Sequence, residues 1–178
     1  MKGLKKIAIT GPESTGKSWL AQKLARSFNT VFVPEYARNY IDQLNRDYKQ
    51  EDILEIAKGQ FNLEKEMESK ATGILFCDTE FLVTKIWSLH KYNNCNPFIL
   101  EKIKENRYDL FLLCDVDMPW EFDEQREHPH LRSYFFNWYE KELREYGFSF
   151  RVISGLGEHR FLNARNEVIR FMENFKEQ

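Results

Sequence analysis

The sequence is poor in the residues that mark several classes of protein. It has three cysteines among 178 residues, and an odd number without C-x-x-C spacing argues against a disulfide framework or a zinc site. It has only five prolines and eight glycines, and no stretch rich in Pro, Gly or Ser divides it. No apolar run approaches the ~20 residues that span a bilayer, and no basic segment leads into an apolar one at the start. We therefore expect one cytoplasmic domain over residues 1–178, with its thiols buried and reduced.

The sequence also lacks a large excess of charge of either sign. The formal net charge at pH 7 is -2, so no global positive field attracts nucleic acid or an anionic membrane. Neither is expected as a partner. Hydrophobic residues make up 42% of the chain, as is usual for a globular protein with a sizeable core.

The most informative stretch is Gly11–Ser18, GPESTGKS, which fits the phosphate-binding pattern G-x-x-x-x-G-K-[ST]. An apolar, β-branched strand is predicted just before it and an amphipathic helix just after it, which is the context that the motif requires. In such a loop the backbone N–H groups bind phosphate oxygens, Lys17 reaches the β- and γ-phosphates, and Ser18 ligates Mg²⁺. The residues expected to contact ATP are Gly11, Glu13, Ser14, Thr15, Gly16, Lys17, Ser18 and Trp19. The alternative is a glycine turn that binds nothing.

Strands alternate with helices along the chain. Strands are predicted at 5–10, 30–33, 73–77, 109–114 and 148–153. Helices are predicted at 17–27, 36–44, 52–70, 80–91, 97–106 and 131–146, with a last helix ending near 175. This alternation predicts an α/β fold: a parallel sheet of about five strands with helices on both faces. The charged run at 64–68 is predicted to be a solvated helix face.

Polar residues follow two of the predicted strands. Ligands of open α/β sheets bind beyond the carboxyl ends of the strands, so Glu35 and Arg38 are expected near the phosphates. Asp78 ends an apolar strand, as the Mg²⁺-binding carboxylate of P-loop enzymes does. Three structural alternatives remain: Glu35 caps the next helix, Arg38 lies on its surface, or Asp78 caps a helix.

The segment 115–132 is dense in charge and follows the fourth strand. We expect it to be a lid that closes over ATP, excludes water and brings Arg126 and Arg132 to the transferring phosphoryl group. The alternative is a surface loop with salt bridges. His128 and His130 are interpreted as ordinary lid residues. Gly155 and Gly157, after the last strand, would permit a close approach to adenine.

Together with the P-loop, three further motifs resemble the ribosylnicotinamide kinase domain of the bacterial NAD-biosynthesis regulators. They are Glu35-Tyr36-Ala37-Arg38, the strand end Asp78-Thr79, and Pro119-Trp120 followed by Asp123 and Arg126. The resemblance runs from the first strand to Arg160-Phe161-Leu162, which is nearly the whole chain. It covers no adenylyltransferase or DNA-binding domain, so we expect a stand-alone kinase domain.

The resemblance implies a nucleoside-monophosphate-kinase-like fold. It also implies that the γ-phosphoryl group of ATP passes, with Mg²⁺, to the 5′-hydroxyl of nicotinamide riboside, giving nicotinamide mononucleotide. The catalytic candidates are Lys17, Glu35, Asp78, Arg126 and Arg132, with Glu35 or Asp78 taking or orienting the hydroxyl proton. The candidates for binding the riboside are Glu35, Tyr36, Arg38, Asp78 and Trp120.

One departure from the family puts the acceptor in doubt. The family usually has an aromatic residue before E-Y-x-R, suited to stacking on nicotinamide, whereas this chain has Pro34. Tyr36 or Trp120 would have to supply another stacking surface. Two alternatives therefore stay open: a kinase for another nucleoside or a small vitamin alcohol, and a regulatory module that binds ATP and a riboside without fast turnover.

Overall fold

A computed structural model describes residues 3–105 and 107–174. Five parallel strands form one sheet in the order β2-β3-β1-β4-β5. The strands are β1 Lys5–Thr10, β2 Phe32–Val33, β3 Ile74–Asp78, β4 Leu110–Cys114 and β5 Phe150–Ile153. The helices are α1 Lys17–Ser27, α2 Tyr36–Asp42, α3 Gln50–Glu68, α4 Phe81–Tyr92, α5 Pro97–Lys104, α6 Arg132–Glu145 and α7 Gly157–Asn174.

The predicted α/β fold is confirmed, and most element bounds differ from the prediction by two residues or fewer. The predicted ends of two helices, at Asn106 and near Phe175, lie outside the described residues. The second strand is shorter than predicted because Thr30 uses its hydroxyl instead of a backbone ladder, donating to the Ile74 carbonyl at 2.7 Å. The third strand extends to Asp78, so the predicted metal ligand is part of the sheet.

Helices cover both faces of the sheet, and the strands are buried on both. Along β1, Ile7 and Ile9 pack with the face covered by α1 and α7, whereas Ala8 packs with the face covered by helices α3 to α6. This alternation is the two-residue period of a strand. All five residues of β3 and all five of β4 are buried, as continuous apolar strands in a parallel sheet should be.

The strand register brings the carboxyl ends of three strands together. Ile9 of β1 lies opposite Asp78 of β3, and Val33 of β2 lies opposite Cys77. The P-loop leaves β1 one residue after Thr10, and Glu35 follows β2 closely. The loops that carry the predicted functional residues therefore start from adjacent points on one edge of the sheet.

The prediction that 64–68 is a solvated face is wrong for Glu64. This residue is fully buried, and Lys6 Nζ donates to its Oε2 at 2.6 Å while the Tyr108 hydroxyl donates to Oε1. The charges of a helix face cannot reveal that a lysine on the adjacent strand meets one of them. All three cysteines are free and buried, including Cys95, which lies in a loop. Among the described helices, none is long and apolar enough to cross a membrane.

Candidate active site

The P-loop joins β1 to α1 and has the backbone of an anion-binding loop. Gly11 and Gly16 have φ angles of 128° and 75°, which L side chains rarely adopt. A Cβ on Gly11 would also lie 3.0 Å from the Cys114 carbonyl oxygen, so the loop needs glycine there for space as well. Lys17 Nζ folds back over the loop and donates to the Pro12 carbonyl at 2.7 Å. This carbonyl also accepts from Thr15 Oγ1 at 2.8 Å.

Asp78 lies against the P-loop in a setting that fits Mg²⁺. Asp78 is only 1% exposed, the Ser18 hydroxyl lies close enough to its carboxylate to favour the charged form, and its Oδ1 has no protein partner. Burial, and then the charge of Glu35, raise the pKa of Asp78 to about 6. A buried acceptor without a donor costs free energy, and a hard cation would supply the missing interaction.

The predicted alternative role of Asp78 as a helix cap is not found. The N-cap of α4 is Glu80, whose carboxylate accepts from the Leu82 N–H at 2.6 Å. In the part of the chain that the structure describes, no group of three or more His, Cys, Asp or Glu could hold a metal by itself. Mg²⁺ would therefore be held by Ser18 and Asp78, with phosphate oxygens and water completing its shell, as is usual for this ion.

A cavity of about 560 Å³ extends from the P-loop across the carboxyl edge of the sheet. Glu35 and Arg38 both line it. Glu35 occupies the N-cap position of α2, but its side chain makes no capping hydrogen bond, so its carboxylate is left for the cavity. Arg38 Nη1 pairs with Asp123 of the lid at 2.9 Å.

The lid, residues 115–132, lies down on the P-loop. The Glu13 carboxylate accepts from the backbone N–H groups of Glu127 and His128 at 3.3 and 3.2 Å. Arg126 lines the cavity and donates to the Glu121 carbonyl at 2.6 Å. Arg132 does not line it; its Nη1 donates to the carbonyls of Met118 and Ser14 at 2.8 and 3.2 Å. The two arginines are thus differently placed: Arg126 beside the cavity, Arg132 between lid and loop.

Tyr36 and Trp120, named as possible stacking surfaces, do not line the cavity. The Tyr36 ring lies over Gly59 of α3, where a Cβ would come within 2.1 Å of it. The Trp120 ring centroid is 5.9 Å from the Arg132 guanidinium carbon. Neither ring is therefore in position to stack on a ligand in this cavity.

Sequence reasoning missed the aromatic wall of the cavity. Tyr48, Trp87, Phe135 and Tyr139 line it. On α4 the lining residues Val83, Ile86, Trp87 and His90 follow helical spacing, a signal that the sequence contained. Nothing in the sequence distinguished this ligand-facing stripe from one facing the core. Tyr48 comes from an irregular loop, so no periodicity pointed to it.

A second missed residue is Arg160 at the start of α7. It is 1% exposed, and its guanidinium donates to the carbonyls of Gly155, Thr15 and Asp115 at 2.8, 3.1 and 3.1 Å. It also pairs with Asp117. One buried side chain therefore links the P-loop to the loops that follow β4 and β5.

A P-loop after the central strand, an acid at the end of the next strand and a lid over both define an α/β fold like that of nucleoside monophosphate kinases. The profile of a family described as "AAA domain" matches residues 6–160, and the chain belongs to that family. The trifunctional NAD biosynthesis/regulator protein NadR of Escherichia coli (strain K12) is 34% identical over 123 residues, which are 66% of this chain and 30% of that protein.

Solved structures agree with this assignment. A crystal structure of NadR in complex with NR has a TM-score of 0.80 and 26% identity, covering 94% of this chain and 49% of that one. NadR in complex with NAD and AMP-PNP has a TM-score of 0.77, also at 26% identity, with the same coverage. The thymidylate kinase of Ehrlichia chaffeensis has a TM-score of 0.63 at 15% identity, over 96% of this chain and 99% of that one, a likeness of fold alone. The predicted resemblance to the kinase domain of the NAD regulators is confirmed, and the chain spans about half the length of the NadR chains in these crystals.

Proposed function

We propose that this protein transfers the γ-phosphoryl group of ATP to the 5′-hydroxyl of nicotinamide riboside, giving nicotinamide mononucleotide and ADP. The observation that carries the proposal is one continuous cavity with the P-loop at one side and Glu35 with the α4 face at another. The likeness to NadR solved with NR and with AMP-PNP supports both ligands. We further propose that residues 1–178 act as a single kinase domain in the cytoplasm, where the three free thiols stay reduced.

The phosphates are proposed to bind the P-loop N–H groups from Gly11 to Ser18, with Trp19 beside the nucleotide. Lys17 would exchange its bond to the Pro12 carbonyl for phosphate oxygens. Ser18 and Asp78 would hold Mg²⁺, because their oxygens adjoin and one of them has no donor. When bound there, Mg²⁺ would supply positive charge that offsets the negative charge developing on the phosphates.

The reaction forms a bond between the riboside 5′-oxygen and the γ-phosphorus and breaks the bond from that phosphorus to the β–γ bridging oxygen. Glu35 is proposed to take the hydroxyl proton, since its carboxylate is not used as a cap and lines the cavity. Arg126 is proposed to approach the transferring group from the lid, with Arg132 fixing the lid on the P-loop. Arg38 is proposed to hold the acceptor side closed through Asp123.

The test is mass spectrometry of products from purified protein, Mg-ATP and nicotinamide riboside, beside other ribosides and vitamin alcohols. We expect nicotinamide mononucleotide as the preferred product. We expect Lys17→Ala to remove nearly all turnover, because positioning and charge on the phosphates supply most of the catalysis. Wild-type rates in Lys17→Ala would contradict the P-loop assignment.

Glu35→Gln tests whether Glu35 takes the proton of the riboside hydroxyl, separately from any role in nucleotide binding. The variant keeps the size of the side chain but loses the base, so we expect kcat to fall about 10²–10⁴-fold while the Kd for ATP changes little. An unchanged kcat would reassign Glu35 to a structural role.

A different acceptor is the second candidate, and Pro34 is the observation that favours it. Phosphorylation of another nucleoside or a vitamin alcohol in preference to nicotinamide riboside would keep the mechanism and change the substrate. Tight binding of ATP and riboside with no product would instead indicate a regulatory module.

A further inference from the structure

Part of the cavity wall is built from aromatic rings that belong to none of the sequence motifs. Tyr48 and Trp87 both line the cavity, with ring centroids 4.9 Å apart and planes at 69°. The Trp87 indole N–H donates to the Tyr48 hydroxyl at 2.9 Å. This hydrogen bond fixes the two rings relative to each other, so the cavity has a preformed aromatic wall.

The same wall carries negative charge. The Tyr48 hydroxyl donates to Glu127 Oε1 of the lid at 3.0 Å, and Asp47 and Glu124 also line the cavity. Burial and the neighbouring His128 lower the pKa of His90 below its ordinary value, so this lining imidazole adds no positive charge at neutral pH. Carboxylates and the faces of aromatic rings both attract cations.

The positive groups of the cavity are engaged elsewhere. Arg38 pairs with Asp123 and Arg46 pairs with Asp52, while Lys17 and Arg126 serve the phosphates in the proposed function. Lys91 does not line the cavity, and its Nζ lies 3.7 Å from the centroid of the Tyr48 ring and 3.2 Å from Glu127 Oε1. This contact shows that the Tyr48 ring attracts a cation, and the lysine offsets part of the charge of Glu127.

We infer that Trp87 and Tyr48, with Glu127, form a subsite that selects an acceptor whose base is a cation. The inference rests on the proposed function and names the residues that recognise the base of the acceptor. These residues would take over from the aromatic residue that the family usually has at the position of Pro34. The pyridinium ring of nicotinamide riboside carries one positive charge. Its 1,4-dihydro form has nearly the same size and the same 5′-hydroxyl but is neutral, so the two ribosides isolate the effect of charge.

The experiment measures kcat/KM for nicotinamide riboside and for its dihydro form, with saturating Mg-ATP at neutral pH. We expect the wild type to prefer the cation by about tenfold, the effect of a cation–π contact shielded from water. We expect Trp87→Leu to bring this ratio close to one by raising KM for the cationic riboside, with KM for ATP unchanged. Trp87→Phe, which keeps an aromatic face, should retain part of the preference.

Two further variants separate selection from folding. Trp138→Leu removes an indole of equal size from α6, outside the cavity lining, and should leave the ratio unchanged. Glu127→Gln removes charge without volume and should lower the ratio several-fold even if Trp87→Leu does not fold. An unchanged ratio in both Trp87→Leu and Glu127→Gln would overturn the inference, as would an unchanged ratio in Glu127→Gln where Trp87→Leu yields no folded protein.

The wild-type measurement distinguishes this inference from the proposed function. Equal kcat/KM for the two ribosides would overturn the inference and leave the proposed function standing. Phosphorylation of neither riboside would overturn both.

Discussion

Arg160 is a buried side chain with consequences for nucleotide binding. Its guanidinium holds the Thr15 carbonyl of the P-loop and the Gly155 carbonyl of the loop after β5. We expect Arg160→Met to raise KM for ATP about tenfold or more, since it removes charged hydrogen bonds that shape the nucleotide loops. KM for the riboside should stay near the wild-type value. Steady-state kinetics with each substrate varied in turn would measure both.

The conservative variant Arg160→Lys is the matched control. It keeps the charge that pairs with Asp117 but cannot reach three carbonyls in the same planar arrangement. We expect a KM for ATP between those of the wild type and Arg160→Met. Equal losses in the two KM values, or a loss of thermal stability alone, would show that Arg160 is a residue of the fold only.

The residues around Arg160 and Asp78 illustrate what a sequence can and cannot predict. The position of Asp78 beside the P-loop strand could be predicted, because it ends an apolar strand of a parallel sheet, and its role as a Mg²⁺ ligand stays a prediction. Arg160 could not, because its partners are backbone carbonyls, which are present at every position and give no pattern. Tyr36 was assigned from its place in the motif Glu35-Tyr36-Ala37-Arg38 and as a possible stacking surface, and the ring instead packs over Gly59.

The helix α3 begins at a network that also fixes the wall of the cavity. Asp52, on the first turn, accepts from the Lys49 N–H at 2.7 Å, from the Tyr40 hydroxyl at 2.9 Å and from Arg46. These bonds tie down the loop that carries Tyr48. The side-chain bond from Arg46, then the backbone and Tyr40 bonds, hold the pKa of Asp52 well below its usual range.

The sign of the effect on stability follows from this lowered pKa. A carboxylate whose pKa is lower in the folded state stabilises the fold above its unfolded-state pKa, about 3.9, and loses that contribution as the pH falls further. We expect Asp52→Asn to have a lower Tm than the wild type at neutral pH. The difference should shrink as the pH falls below about 4, because Asp52 of the unfolded wild-type chain then binds a proton while the folded carboxylate stays ionised, which favours unfolding. The test is to measure Tm of the wild type and of Asp52→Asn across this pH range. A Tm difference that does not change with pH would show that the variant is destabilised by the altered shape of the side chain and not by the lost charge.

The elements themselves were predictable where periodicity was strong. The strands β3 and β4 could be predicted from uninterrupted apolar residues, and α1 from the spacing after the P-loop. The lid was predicted from its position after β4, yet its contacts were not. Glu13 anchors it through two backbone N–H groups, and such contacts depend on how an irregular segment folds back.

The carboxyl edge of the sheet carries the candidate active site, and the opposite edge carries a cluster of charged residues that we expect to serve stability. At the carboxyl edge, the residue that follows Asp78 is strained: Thr79, a β-branched residue, has a φ of 65°, a conformation that costs free energy and is found at functional sites. At the opposite edge, Lys6, Glu64, Glu68, Tyr108 and Arg107 form a cluster of ion pairs and hydrogen bonds. That cluster joins β1, α3 and the segment before β4 and lines no part of the cavity.

We therefore expect that a substitution in this cluster lowers the free energy of unfolding without lowering kcat. Replacement of Glu64 by Gln puts a neutral amide beside the ammonium of Lys6, whose side chain is 9% exposed, and leaves Glu68, at 3.0 Å, as its remaining carboxylate partner. Because the lysine keeps one partner, we expect the free energy of unfolding to fall by about 1–3 kcal/mol, the cost of a lost buried hydrogen bond to a charged group. The kcat of the folded fraction should stay within about twofold of the wild type, an effect on the barrier of under ~0.5 kcal/mol.

The matched control lies on the same helix. Glu66 pairs with Lys70 on the surface, where both side chains are more than half exposed, and solvent screens such pairs. Glu66→Gln should therefore leave both the unfolding midpoint in urea and kcat almost unchanged. Equal midpoints for Glu64→Gln and Glu66→Gln would mean that the buried cluster adds nothing to stability. A fall in kcat parallel to the loss of stability would mean that strain passes along β1 to the P-loop, and that the two edges of the sheet do not act independently.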